Sequence, residues 1–349
     1  MRVVEIESLA AFDRRVAHGA RSARGWHLQS VDLSDRTQAL AALDVTGAVF
    51  LGCTLADADD VRRRGGLVFP RVPDVPFDPY RSTLYSPAEL YAGLDDGYTA
   101  TPDARIFAWD KGTRSVDRTL ASALHDHAVD DALEEYVAGR RIVGVMGGHA
   151  GTRGSAGYRD AVRLGHGLAS SFTVATGGGP GAMEAANLGA FLPAGTDLDA
   201  VVDELARVPD FAPDVTAWAR AGLAVRERFT GRDSLGVPTW FYGHEPPNVF
   251  ANAVAKYFRN AIREDVLLRL CRAGIVFLPG AAGTVQEVFQ AACESYYASP
   301  ADVIPLVLVG RGQWDRDLPA WPLLEALAAS SGMRVHLVDT VDEVLPLLT

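Results

Sequence analysis

The chain predicts an α/β protein: a Rossmann-like doubly wound parallel sheet, preceded by a smaller N-terminal α/β region. Three observations lead there. Its 349 residues exceed the usual size of one domain. From Arg140 onward, short apolar runs alternate with helical segments, the pattern of βαβ units. Two of those runs end in glycine-rich turns that open helices, as ligand-binding turns do at the carboxyl edge of an open α/β sheet.

Taken in order, residues 1–135 form the first region. Ala48–Gly52 and Gly66–Phe69 read as strands. The closely spaced Pro70, Pro73, Pro76 and Pro79 exclude regular helix. Ser115–Ala138 has helical spacing of apolar residues, and His125 and His127, two positions apart, point to different faces of it. No motif of this region carries chemistry, and no internal repeat stands out. The second region, 136–349, has strand-like runs at Ile142–Met146, Phe172–Ala175, Val237–Tyr242, Ile275–Leu278, Ile304–Val309 and Val335–Val338. A long helix is expected from about Asn248 to Arg272.

Composition narrows the function classes. Hydrophobic residues are 48% and charged residues 22%, as in ordinary globular proteins. With 44 acidic against 33 basic residues the net charge is −11, which argues against nucleic acid or an anionic membrane surface as partner. A small phosphorylated ligand stays open, because backbone N–H groups act locally. No apolar run approaches the roughly 18 residues that span a bilayer, so a soluble, cytoplasmic protein is expected. Cys53, Cys271 and Cys293 are too few and scattered for a disulfide framework or zinc site and read as buried thiols. No carboxylate or histidine cluster calls for a metal, and no cofactor is implied.

The first glycine-rich turn is Thr176-Gly177-Gly178-Gly179-Pro180-Gly181-Ala182-Met183-Glu184, after a strand and before a helix. Its glycines allow close approach of backbone to a ligand, and the helix start that follows favours an anion. The second is Pro279-Gly280-Ala281-Ala282-Gly283-Thr284-Val285-Gln286-Glu287. Its N–H groups and the Thr284 hydroxyl are suited to one phosphate. Neither turn is a P-loop, since no Gly-Lys-Ser/Thr follows. The loose dinucleotide fingerprint fits from Gly177 to Ala182, a weak indication of a nicotinamide enzyme. From spacing alone Glu287 is a capping-box partner of Thr284 as readily as a reactive carboxylate.

At these residues the chain resembles the LOG ("lonely guy") family. Thr176–Asn187 looks like its first signature, and Pro279-Gly280-x-x-Gly283-Thr284-x-x-Glu287 like its second, so the resemblance covers about residues 140–349. It implies hydrolysis of the N-glycosidic bond of an AMP-like nucleoside 5′-monophosphate, giving free base and ribose 5-phosphate. The alternative within the same fold is a non-catalytic binder of a nucleotide or phosphorylated cofactor. By resemblance Glu287 is the catalytic glutamate. Its arginine partner is assigned to Arg263, with Arg259 as the other choice, because Glu264 and Asp265 stand where the family has Arg-Lys. Nucleotide contacts are implied for Thr176, Gly177, Gly178, Gly179, Gly181, Glu184, Gly280, Ala281, Ala282, Gly283 and Thr284, with Glu184 either meeting ribose hydroxyls or capping its own helix. Gly147 and Gly148, ending the first strand of the domain, join that set. His244 and Glu245 lie in a loop like the one that faces the base, or are caps and surface residues. A homodimer or larger homo-oligomer is expected by the same resemblance.

Overall fold

The computed structural model describes residues 3–241 and 245–348. They divide into two compact units: 1–84 with 111–133, and 85–110 with 134–349.

The first unit contains β1 (Val4–Ile6), α1 (Leu9–Ala17), β2 (Trp26–Gln29), α2 (Thr37–Ala42), β3 (Val49–Leu51), α3 (Ala58–Arg63) and β4 (Leu67–Phe69). The strands form one parallel sheet in chain order. Val4 pairs with Trp26, His27 with Val49 and Val49 with Leu67, so each strand returns after about twenty residues. This is a strand–helix repeat that the sequence does not announce. Its shared feature is a backbone conformation rather than a long signature. Gly25, Gly47 and Gly65 each have φ between 74° and 87° and stack as a hydrogen-bonded column before the strands. Inside, Ile6, Leu28 and Phe50 meet in register and are fully buried, each contributing about 1.5–3 kcal/mol.

The second unit begins with α4 (Pro87–Leu90) and α5 (Pro102–Asp110). After α6 (Val116–Val137), which belongs to the first unit as far as Leu133, come β5 (Ile142–Met146), α7 (Ala156–Leu168), β6 (Thr173–Thr176), α8 (Ala182–Phe191), α9 (Leu198–Leu205), α10 (Val215–Arg226), β7 (Ser234–Gly236) and β8 (Ala253–Val254). The chain continues through α11 (Asn260–Leu270), β9 (Gly274–Phe277), α12 (Ala282–Tyr297), β10 (Pro305–Val309), α13 (Trp321–Ala329), β11 (Arg334–Val338) and α14 (Leu345–Leu348). Seven parallel strands lie in the order β11-β10-β9-β5-β6-β7-β8. The chain runs outward from β5 to β8 on one side and resumes with β9 on the other. The ends of β5 and β9 therefore flank the switch point, where a doubly wound sheet opens a crevice. Every residue of β5, β9 and β10 is buried, as helices on both faces require.

Two predicted elements and the expected burial of one cysteine are corrected here. The strand at Val237–Tyr242 is displaced: β7 ends at Gly236, and Pro238, which has no N–H, interrupts the ladder before a single bridge at Thr239. The helix expected from Asn248 begins only at Asn260. Asn248 instead accepts from the Phe250 and Ala251 amides, and Val254, Ala255 and Tyr257 spend their N–H groups on Tyr85, Gly236 and Pro238. Residues 85–110 fall outside the first unit because buried Asp103 accepts from Tyr98 Oη, Trp240 Nε1 and Lys256 Nζ at 2.6, 2.9 and 2.6 Å. Lys256 sits 5.1 Å from the Trp240 ring centre, and burial lowers its pKa while Asp103 pulls it back up. Of the cysteines, Cys53 and Cys271 are buried but Cys293 is exposed. Among the described residues no helix is long and apolar enough to cross a membrane.

Candidate functional site

The turn between β9 and α12 supplies the clearest site. Leu278-Pro279-Gly280 leads to Ala281, the N-cap of α12, in extended conformation (φ −114°) with no side-chain cap. The N–H groups of Ala282, Gly283 and Thr284 thus have no partner among the described residues, at the positive end of a 16-residue helix. Thr284 folds back over the turn: a Cβ at position 280 would lie 2.2 Å from its Oγ1, so only glycine fits there. Two further bonds hold the turn. Gly148 N donates to Pro279 O (3.2 Å), and Gln313 Nε2 donates to Gly280 O (2.9 Å).

This helix start forms part of the wall of a cavity of about 1040 Å³. Gly147–Gly151 after β5, the start of α7, Met183 and the ends of β10 and β11 complete the wall, together with Arg263, Glu264, Glu287 and Glu245. It lies where the switch point predicts.

Glu287 is the sixth residue of α12, about one and a half turns past its start. The capping-box reading is excluded, because Thr284 lies inside the helix and Ala281 is the cap. Arg263 stands in the first turn of α11, with Nη1 3.9 Å from Glu287 Oε1 and Nη2 3.0 Å from both Glu264 Oε1 and Asn260 Oδ1. One guanidinium therefore serves two carboxyls. Its partners are 8% (Glu264) and 13% (Glu287) exposed, so neither charge is well solvated. Burial, then the charge of Glu264, push the Glu287 carboxyl up to about 8 against the pull of Arg263. Burial also raises Glu264, with Arg263 and a hydrogen bond to Asn260 opposing. Arg259 caps α11 and does not line the cavity.

The first glycine-rich turn is built differently. Thr176 is fully buried, donating to Asn187 Oδ1 (2.6 Å) and accepting from Gly178 N (2.9 Å). Asn187 donates in turn to Ser234 and Leu235, which ties β6 to β7. A Cβ at 177 or 179 would lie 2.7 or 2.9 Å from Met183, and one at 178 would strike Pro238. The three glycines thus close around side chains, and Thr176, Gly177, Gly178 and Gly179 do not line the main cavity; Met183 does. Gly181 (φ 70°) lies against the carbonyls of Gly148 and His149. It lines a smaller neighbouring cavity of about 220 Å³ with Glu184. Glu184 neither caps its helix nor stands free: it is 1% exposed and paired with Arg153 Nη2 at 2.5 Å. Arg153 also stacks on Trp218 at 4.6 Å.

Of the other expected residues, Gly147, Gly148, Gly280, Ala281, Ala282, Gly283 and Thr284 line the main cavity. Glu245 does too, 3.6 Å from His149 Nδ1. His244 lies outside the described residues. Glu264, Met183, His149 and the segment Asp339–Asp342 were not expected there. Glu264 had a signal in the sequence, as the acidic replacement in the resembled Arg-Lys pair, while His149 and Met183 stand within glycine-rich turns expected near the ligand.

Compared with models of protein families and with curated proteins, the chain finds no match. Among solved structures it is similar to the molybdenum cofactor binding protein from the phototrophic bacterium Rippkaea orientalis, at 18% identity and TM-score 0.37. That match covers 60% of this chain and 95% of that one. It is also similar to the Moco carrier protein from Chlamydomonas reinhardtii, in two structures: 19% identity with TM-score 0.36, and 20% with 0.37. Each covers 60% of this chain and 98% of the other. These values leave the chemistry of the site to be read from its own residues.

Proposed function

We propose that the second unit binds a phosphorylated small molecule in the main cavity, its phosphate on the amide groups that open α12, and holds it without cleaving it. The observation that carries this reading is the uncapped start of α12 in the cavity wall. Three N–H groups to a phosphate, at about 1.5–3 kcal/mol for each bond to a charged group, suffice to anchor it. Retention rather than hydrolysis is supported by Glu287. Burial and the charge of Glu264 push its carboxyl up to about 8, which disfavours the ionised form that would stabilise a cationic sugar.

The test is a thermal-shift panel of inorganic phosphate, ribose 5-phosphate and nucleoside 5′-monophosphates, each recovered afterwards by chromatography. A raised melting temperature with the compounds recovered intact is expected. Ala281→Asp should raise the ligand-free melting temperature by supplying a cap, and abolish the phosphate response by occupying the same N–H groups. An unchanged response in that variant rejects the assignment of the phosphate.

The second reading, favoured by the 3.9 Å approach of Arg263 to Glu287, is the glycosidic hydrolysis that the LOG resemblance implies. It would release free base and ribose 5-phosphate, with turnover rising as pH passes about 8 and Glu287 ionises. The homodimer implied by the same resemblance is checked by light scattering.

A further inference from the structure

We propose that Glu264, with Glu287, is the recognition element for the end of the ligand remote from its phosphate, and selects a heterocycle edge bearing adjacent N–H donors, such as the ring N–H and amino group of guanine. The inference rests on the phosphate assignment above and adds what the rest of the molecule must be.

The cavity is chemically two-ended. At one end stand the amide groups of α12, suited to an anion. Glu287 lies five residues along the same helix, about 7.5 Å by the helical rise. There the wall carries two carboxyls and one guanidinium rather than a second cationic group. Glu264 Oε1 is paired with Arg263, but Oε2 is buried and has no hydrogen-bond partner. An unpaired buried carboxyl oxygen destabilises the site, so a donor arriving there recovers that cost. Arg263 does not supply it: its Nη atoms face Glu264, Asn260 and Glu287, and its Nε, which also has no hydrogen-bond partner, does not reach Oε2. An adjacent pair of ligand N–H groups has the matching pattern, one donor to Glu264 Oε2 and one to the Glu287 carboxyl.

A divalent cation is the competing occupant. Among the described residues Glu245, Glu264 and Glu287 do not bring an oxygen each within the span of one ion, and Arg263 already carries the positive charge between two of them. A sugar phosphate without a base would leave Glu264 Oε2 unpaired.

The experiment is calorimetric titration of the whole chain with GMP, IMP, AMP and ribose 5-phosphate, with and without magnesium. GMP is expected to bind about tenfold more tightly than ribose 5-phosphate, the effect of one or two hydrogen bonds, with IMP between them. AMP, which lacks a ring N–H beside its amino group, should resemble ribose 5-phosphate. In Glu264→Gln the ratio of GMP to ribose 5-phosphate affinity should fall toward one. Glu264→Asp, which keeps the charge but withdraws it, should retain part of the preference and separate recognition from folding damage. Equal affinity of GMP and ribose 5-phosphate in the native protein overturns the inference while leaving the phosphate site standing. A preference that appears only with magnesium overturns it in favour of a cation. Failure of every phosphate compound to bind removes both the inference and the function on which it rests.

Discussion

Replacing Glu287 by glutamine should stabilise the folded protein at neutral pH, by an amount that grows with pH. In the folded chain its carboxyl stands at about 8 against an ordinary 4.5, raised first by burial and then by Glu264. A group whose folded pKa is raised favours the folded state fully below its unfolded value, and that contribution is lost as pH rises through the folded one. Between 4.5 and about 8 the unfolded chain has released the proton and the folded chain still holds it. Native stability therefore falls by about 1.4 kcal/mol for each pH unit in that interval, or about 3 kcal/mol by pH 7. Glutamine keeps the shape and does not titrate, so the variant lacks this slope. Urea unfolding of both proteins from pH 5 to pH 9 measures the difference. Parallel stability curves would refute the buried, proton-holding carboxyl and the argument against hydrolysis built on it.

Three further perturbations test the architecture. Arg263→Ala leaves Glu264 and Glu287 without a cation; a loss of about 3–5 kcal/mol is expected, larger at pH 9 than at pH 6, in denaturant melts at the two pH values. Asp103→Ala strands the buried Lys256 charge and should cost about 3–5 kcal/mol, with Asp103→Asn milder because it keeps hydrogen-bonding capacity. Gly280→Ala forces a methyl group against Thr284 and should cost about 1–3 kcal/mol while weakening the phosphate thermal shift; an unchanged melting temperature would mean the turn is looser than described.

Much of the second unit was legible because βαβ periodicity and turn chemistry are local signals. The runs at Ile142–Met146, Ile275–Leu278 and Ile304–Val309 fall on β5, β9 and β10, where burial on both faces gives a continuous apolar reading. The stretch 248–258 was misread because its apolar residues suit a buried helix equally well; what decides is that its amides are taken by Tyr85, Gly236 and Pro238, residues remote in sequence. The repeat of the first unit escaped for a related reason. Gly25, Gly47 and Gly65 are individually ordinary turn glycines, and only the pairing register shows that they occupy equivalent places. Within the site, the turn around Gly280 was readable because a free helix start needs no distant partner. The environment of Glu287 was not, since it depends on how α11 presents Arg263 and Glu264.

The two glycine-rich turns look alike in sequence but have different tasks, and Met183 is the reason. Its side chain fills the space that Gly177 and Gly179 leave, so glycine there lets a sulfur-bearing side chain pack where a phosphate was expected. The consequence reaches across the cavity. A Cβ at 177 would come within 3.4 Å of Arg263 Nη1, so the same glycine leaves room for the guanidinium that bridges Glu264 and Glu287. The first turn thus shapes the acidic end of the cavity while the second, with its open amides, faces the anion. A charge-separated cavity of this kind favours a ligand that is itself divided, anionic at one end and rich in N–H donors at the other.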